Sequence, residues 1–174
     1  MLGGIVHAAL RMCNGTEYVT VGPCKICGGT LSGYDMRRKR FAILHEDDGD
    51  HIIEVIIRRA YCRSCGKIVV PEEPFYPGTR IGSPVVDLCR AFADTMPYSR
   101  VATRLGLMGI VVDRWSVRAY CRPPCIPPPT IKAFGLKIPV SIISLSTLAG
   151  SLMESGQTSG DDVLAACFFP ARNR

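Results

Sequence analysis

Nine cysteines stand in this 174-residue chain, and four of them are spaced for chemistry. Cys24-Lys25-Ile26-Cys27 is followed by Gly28, and 34 residues further on Cys62-Arg63-Ser64-Cys65 is followed by Gly66. Two residues between cysteines let both sulfurs of a tight turn reach one ion, and two such turns supply four thiolates to a tetrahedral structural zinc site. The glycine after each pair can take positive φ, which lets the backbone fold back beneath the sulfurs at little steric cost. One Zn²⁺ held by Cys24, Cys27, Cys62 and Cys65 is the expected cofactor. A thioredoxin-like redox pair is disfavoured, because the motif occurs twice and no βαβ pattern surrounds either copy. A catalytic zinc is disfavoured because four thiolates leave no position for water or substrate. Cys13, Cys89, Cys167 and Cys121-x3-Cys125 read as packing residues, and the scattered His7, His45 and His51 receive no role.

Two knuckles so far apart need a hairpin to bring them together. One arm runs from about Leu31 to Leu44 and carries Arg37-Arg38-Lys39-Arg40, and the turn falls in His45 to Asp50, where Asp48-Gly49 has turn chemistry. In the return arm, Ile52 to Tyr61, Ile53, Val55 and Ile57 alternate with Glu54, Ile56 and Arg58. The expectation is an antiparallel zinc ribbon over 22–72.

Helices should follow. Ser83-Pro84 reads as N-cap and first helical position, with Val85, Leu88, Cys89, Phe92 and Met96 at helical spacing and Pro97 as the stop. A second helix is expected from Ser99 to Gly106, that glycine making the turn and Leu107 filling the corner, and a third from about Ile110 to Tyr120. Together these make a helix-turn-helix unit over 83–121. Placing Val112 and Trp115 inside turns Ile110, Asp113, Arg114, Val117 and Arg118 outward. Arg114 or Arg118 would then donate two bonds to a guanine edge, Asp113 would lie on the same groove-facing side, and Arg100 and Arg104 would meet phosphates. The bland alternative is a three-helix bundle whose arginine face is merely solvated.

Charge supports the location better than the total does. The 21 Lys and Arg exceed the 15 Asp and Glu by six, whereas residues 98–122 alone hold five Arg and one Asp. The remaining segments are an N-terminal extension (1–21), a proline-rich linker (122–130) and a tail (131–174) expected to form short helices or to be weakly ordered. No basic n-region or cleavage site marks the start as a signal peptide. The longest uncharged stretch, Ile138 to Met153, is 16 residues and falls short of a membrane span. A reducing cytoplasm is the expected location, where paired cysteines bind metal. The fold class is α+β.

Cys24-x-x-Cys27-Gly28, the basic Arg-Arg-x-Tyr-Cys62-x-x-Cys65-Gly66-Lys67 return, Tyr98-Ser99-Arg100-Val101-Ala102-x-x-Leu105-Gly106 and Val112-Asp113-Arg114-Trp115 together resemble the N-terminal region of prokaryotic insertion-sequence transposases. The resemblance covers about residues 22–121 and implies a zinc ribbon preceding a helix-turn-helix that recognises double-stranded DNA. Such transposases continue into a nuclease core with three separated carboxylates, but the 52 residues after Arg122 offer only Glu154, Asp161 and Asp162. The expectation is therefore a non-catalytic, transposase-derived DNA-binding protein, either truncated or a small regulator. The competing expectation is a zinc-scaffolded protein-interaction module, with the tail as a surface for a protein partner or a second copy.

Overall fold

The structure, a computed structural model, describes residues 2–133, 135–155 and 158–169. The fold is α+β, in the order α1 (Leu2–Met12), β1 (Glu17–Val19), β2 (Leu31–Glu46), β3 (Gly49–Cys62), β4 (Ile68–Val69), α2 (Ser83–Ala93), α3 (Tyr98–Leu107), α4 (Arg114–Tyr120), β5 (Thr130–Ala133), β6 (Leu136–Pro139), α5 (Val140–Ser155) and α6 (Gly160–Ala166). The main sheet has the order β1-β3-β2, with β1 parallel and β2 antiparallel to β3, and β4 joins the far end of β3. A separate hairpin pairs β5 with β6.

The alternation read in the return arm is the alternation of the sheet. Ile53, Val55 and Ile57 face the core, while Ile52 and Arg58 are exposed. The hairpin is tighter than expected: Glu46 pairs with Gly49, leaving Asp47 and Asp48 as the whole turn. A cross-strand contact zips that end, where His45 Nδ1 lies 2.6 Å from an Asp50 oxygen, and Arg11 of α1 donates to Glu46 there at 2.8 Å. Register shifts between Gly33 and Asp35 and between Arg40 and Ala42 mark two irregularities in β2. The second lets the consecutive Phe41 and Ala42 both turn inward.

One hydrophobic cluster extends from Val6 to Cys167 and draws on α1, the sheet, α2, α3, α4, β6, α5 and α6. The expected extension at 1–21 is thus a core helix and an edge strand: α1 packs on β2 and against α5, and β1 pairs with β3. The expected tail at 131–174 is likewise built in. It forms a hairpin, the 16-residue α5 and the short α6, and Ile138, Ile142, Leu145, Val163 and Cys167 are all buried. Those side chains belong to the chain's own core. Residues 156–157 and 170–174, both within the expected tail, lie outside the described residues. No helix among the described residues is long and apolar enough to cross a membrane. Cys13, Cys89 and Cys167 are fully buried packing residues, and burial pushes the Cys13 thiol up to about 12, which keeps it unreactive.

The helical region departs from expectation in phase and in boundaries. The residue before α2 is Gly82, not Ser83, because Phe41 O accepts from the Gly82 N–H at 2.8 Å and its ring fills the space where a Cβ would stand. α2 ends at Ala93 rather than Met96. α3 runs through Gly106, and the turn falls to Gly109 at φ 74. Met108, not Leu107, fills the corner: Leu107 is exposed and Met108 buried. Ile110 does not begin a helix. It bridges Leu44, while Ile43 O accepts from the Val111 N–H at 2.9 Å, so this loop extends the sheet edge. α4 begins at Arg114, and its face is turned from the expected one. Ile110 and Val117 are buried, Val112 is half-buried and Trp115 is 61% exposed. Arg90 of α2 fixes the far end of α4 by donating Nε–H to Tyr120 O at 3.0 Å.

Candidate metal centre and basic helix pair

The two cysteine knuckles are built alike from local backbone bonds. Cys24 N–H donates to Gly29 O at 2.9 Å and Gly28 N–H to Cys24 O at 2.7 Å; Cys62 N–H donates to Lys67 O at 2.9 Å and Gly66 N–H to Cys62 O at 3.0 Å. Gly28 and Gly66 take φ of 73° and 71°, the left-handed conformation that closes each loop. The second knuckle follows directly from β3, and the first leads into β2. Because Leu31 is in register with Cys62, the sheet itself delivers one knuckle to the other. Gly29 lies where they meet: a Cβ there would come within 2.3 Å of Ser64 Oγ and 3.1 Å of Cys62 Sγ.

All four sulfurs, of Cys24, Cys27, Cys62 and Cys65, lie within 4.8 Å of one another and can hold a metal ion. Cys27 Sγ and Cys62 Sγ are 3.5 Å apart, and Cys24 Sγ and Cys65 Sγ 3.9 Å. A tetrahedral ion with metal–sulfur bonds of about 2.3 Å requires sulfur separations of about 3.8 Å, so these thiols need little movement to close on one. The N–H groups of Cys65 and Ser64 hold the Cys62 thiol down to about 6, against the cost of burial. The Gly29 N–H acts the same way on Cys27, but its sulfur neighbours, Cys62 first, prevail and push that thiol up to about 12. Crowded sulfurs share few negative charges until a dication arrives to compensate them.

The sequence-derived DNA contacts fall on two helices. Arg100 and Arg104 are exposed four residues apart on α3, and Arg114 and Arg118 are exposed four apart on α4. None of these four has a carboxylate within 4.0 Å among the described residues. Most basic residues of the hairpin differ, Arg40 excepted. Arg58 makes a forked pair with Glu17 at 2.7 and 2.8 Å, Arg59 pairs with Asp35, Arg38 with Glu54 at 3.6 Å and Lys39 with Glu73. Asp113, expected on the groove-facing side, is instead the N-cap of α4. Its carboxylate accepts from the N–H groups of Trp115 at 2.8 Å and Ser116 at 3.0 Å and from Ser116 Oγ at 2.7 Å. Those bonds, Ser116 Oγ–H first, hold its carboxyl below the usual carboxylate range. With this cap at Asp113 the helix starts four residues later than the expected Ile110.

Trp115, expected inside, is exposed, as Ile110 and Val117, expected outside, are buried. An apolar side chain at helical spacing reads as core, and only the Asp113 cap, visible as Asp-x-x-Ser, hints at the true phase. A second polar cluster was given no role: Glu46, Asp48 and His51 approach within 4.8 Å at the hairpin tip. Its members already have partners, with His51 Nε2 2.7 Å from an Asp48 oxygen and Glu46 paired to Arg11 of α1. No protein-family model, curated protein or solved structure matches the chain.

Proposed function

We propose that this chain is a non-catalytic, zinc-stabilised protein that binds double-stranded DNA, a truncated transposase or a small regulator derived from one. Zinc is the ion of choice for four thiolates in this geometry, and a closed sulfur shell gives it a structural task. The zinc would pin the open end of the β2–β3 hairpin, whose other end buttresses the loop leading into α4. Arg100 and Arg104 would take phosphates, while Arg114 and Arg118 at the exposed face of α4 would reach base edges.

The observation that supports this reading is the contrast between the two basic blocks. Five cations of the hairpin, Arg37, Arg38, Lys39, Arg58 and Arg59, have internal carboxylate partners and Arg40 has none among the described residues, whereas all four arginines of α3 and α4 lack one, and the one acid of 98–122 is occupied as a helix cap. Unneutralised arginines grouped on adjacent helices suit a polyanion. The test is fluorescence anisotropy of a labelled duplex with zinc-loaded protein at low salt. Binding that weakens in Arg114→Ala/Arg118→Ala is the expected result, and absence of binding by the intact protein refutes the proposal.

A further inference from the structure

Trp115 is the chain's single tryptophan, and it is 61% exposed in the first turn of α4. The Arg114 guanidinium lies 4.7 Å from the ring centroid, over the indole face. A large aromatic left mostly to solvent, with a cation stacked on it and Arg118 one turn further along, contributes little to packing. It carries two elements of a nucleic-acid stacking site: a flat apolar face for a base and adjoining positive charge for the phosphates beside that base. Arg100 and Arg104 on α3 add further unpaired cations nearby in the chain.

The form of DNA follows from the chemistry of the ring. In an intact duplex both faces of every base are covered by neighbours, so an indole meets only base edges or must wedge a step open at some cost. An unpaired base exposes its whole face, and an aromatic side chain stacks on it without regard to sequence. We propose that Trp115, with Arg114 against it, is a stacking site for an unpaired base, so that the chain prefers DNA carrying one over a fully paired duplex. The proposal rests on the DNA-binding reading above.

Two fluorescein-labelled 20-bp duplexes test it, one fully paired and one with a single extra unpaired adenine, each titrated with zinc-loaded protein at low salt. Loss of base–aromatic stacking sets the scale: the bulged duplex should bind about 5- to 150-fold more tightly. Because Trp115 is the only tryptophan, its emission should be quenched more strongly by the bulged duplex. Trp115→Ala should bring the ratio of the two Kd values close to one, and Trp115→Phe, which keeps a smaller ring, should retain part of the preference. Equal Kd values for the intact protein, or a preference that survives in Trp115→Ala, overturn this proposal alone. Failure to bind either duplex overturns the DNA-binding reading and this proposal with it.

Discussion

Removing the metal should melt one end of the molecule and spare the other. Between residues 20 and 40, and again between 58 and 70, Cys24 and Cys62 are the only buried side chains. The hydrophobic cluster takes Tyr18, then nothing until Phe41, and Ile57, then nothing until Phe75. These stretches therefore hold their conformation through the β2–β3 ladder, surface ion pairs of about 0–1 kcal/mol each, and the sulfur site. A structural zinc contributes about 10–16 kcal/mol in small thiolate sites at neutral pH. That is as large as the whole stability of an ordinary domain, about 5–15 kcal/mol, and no apolar core replaces it here. Hydrogen exchange read by mass spectrometry on zinc-loaded and chelator-treated protein is the appropriate assay. Protection should collapse in peptides covering 22–40 and 58–70 and persist in α1, α2 and α5, with helical circular dichroism nearly unchanged. Unaltered protection across the knuckles, or loss throughout the chain, would contradict a local role for the metal.

Other expectations concern single residues. Gly29→Ala leaves every thiol in place but puts a methyl within 2.3 Å of Ser64 Oγ and 3.1 Å of Cys62 Sγ; competition with a chromogenic chelator should show metal affinity reduced at least tenfold, about 1.4 kcal/mol. Asp113→Ala removes the cap of α4 and should lower stability by about 1 kcal/mol in urea unfolding. Since the Asp113 carboxyl is depressed in the folded state, that contribution is complete above about pH 4 and is lost as pH falls through the depressed value. The unfolding curves of wild type and variant should therefore converge in acid, and a difference that persists there would contradict the cap.

What could be read from the chain depended on how local its cause was. The Cys-x2-Cys-Gly knuckles are closed by bonds within six residues, Cys24 to Gly29 and Cys62 to Lys67, so spacing alone revealed them. The period-two run at Ile53, Val55 and Ile57 likewise declared its buried face. The phase of α4 was not legible. It depends on Val111 joining Ile43 and on Gly109 fitting against His7, where a Cβ would stand 3.0 Å from the imidazole. Those contacts connect residues more than fifty positions apart and convert an expected helical turn into sheet edge. Once the helix starts at Arg114, Val117 must turn inward and Trp115 outward. Segments 1–21 and 131–174 were undervalued for the same reason: their apolar residues make sense only against a sheet face formed elsewhere in the chain.

The central claim is that the unpaired arginines of α3 and α4 form a DNA-binding surface on a zinc-pinned scaffold. Its most direct measurement is the salt dependence of duplex affinity, compared between the zinc-loaded protein and its Arg100→Ala/Arg104→Ala/Arg114→Ala/Arg118→Ala variant. Each neutralised phosphate contributes a slope of about −0.9 in log Kobs against log salt. Four such contacts give about −3.6 for the intact protein, and a slope near zero is expected for the variant. A variant that binds duplex with the slope of the intact protein would place the DNA contacts elsewhere and contradict the claim.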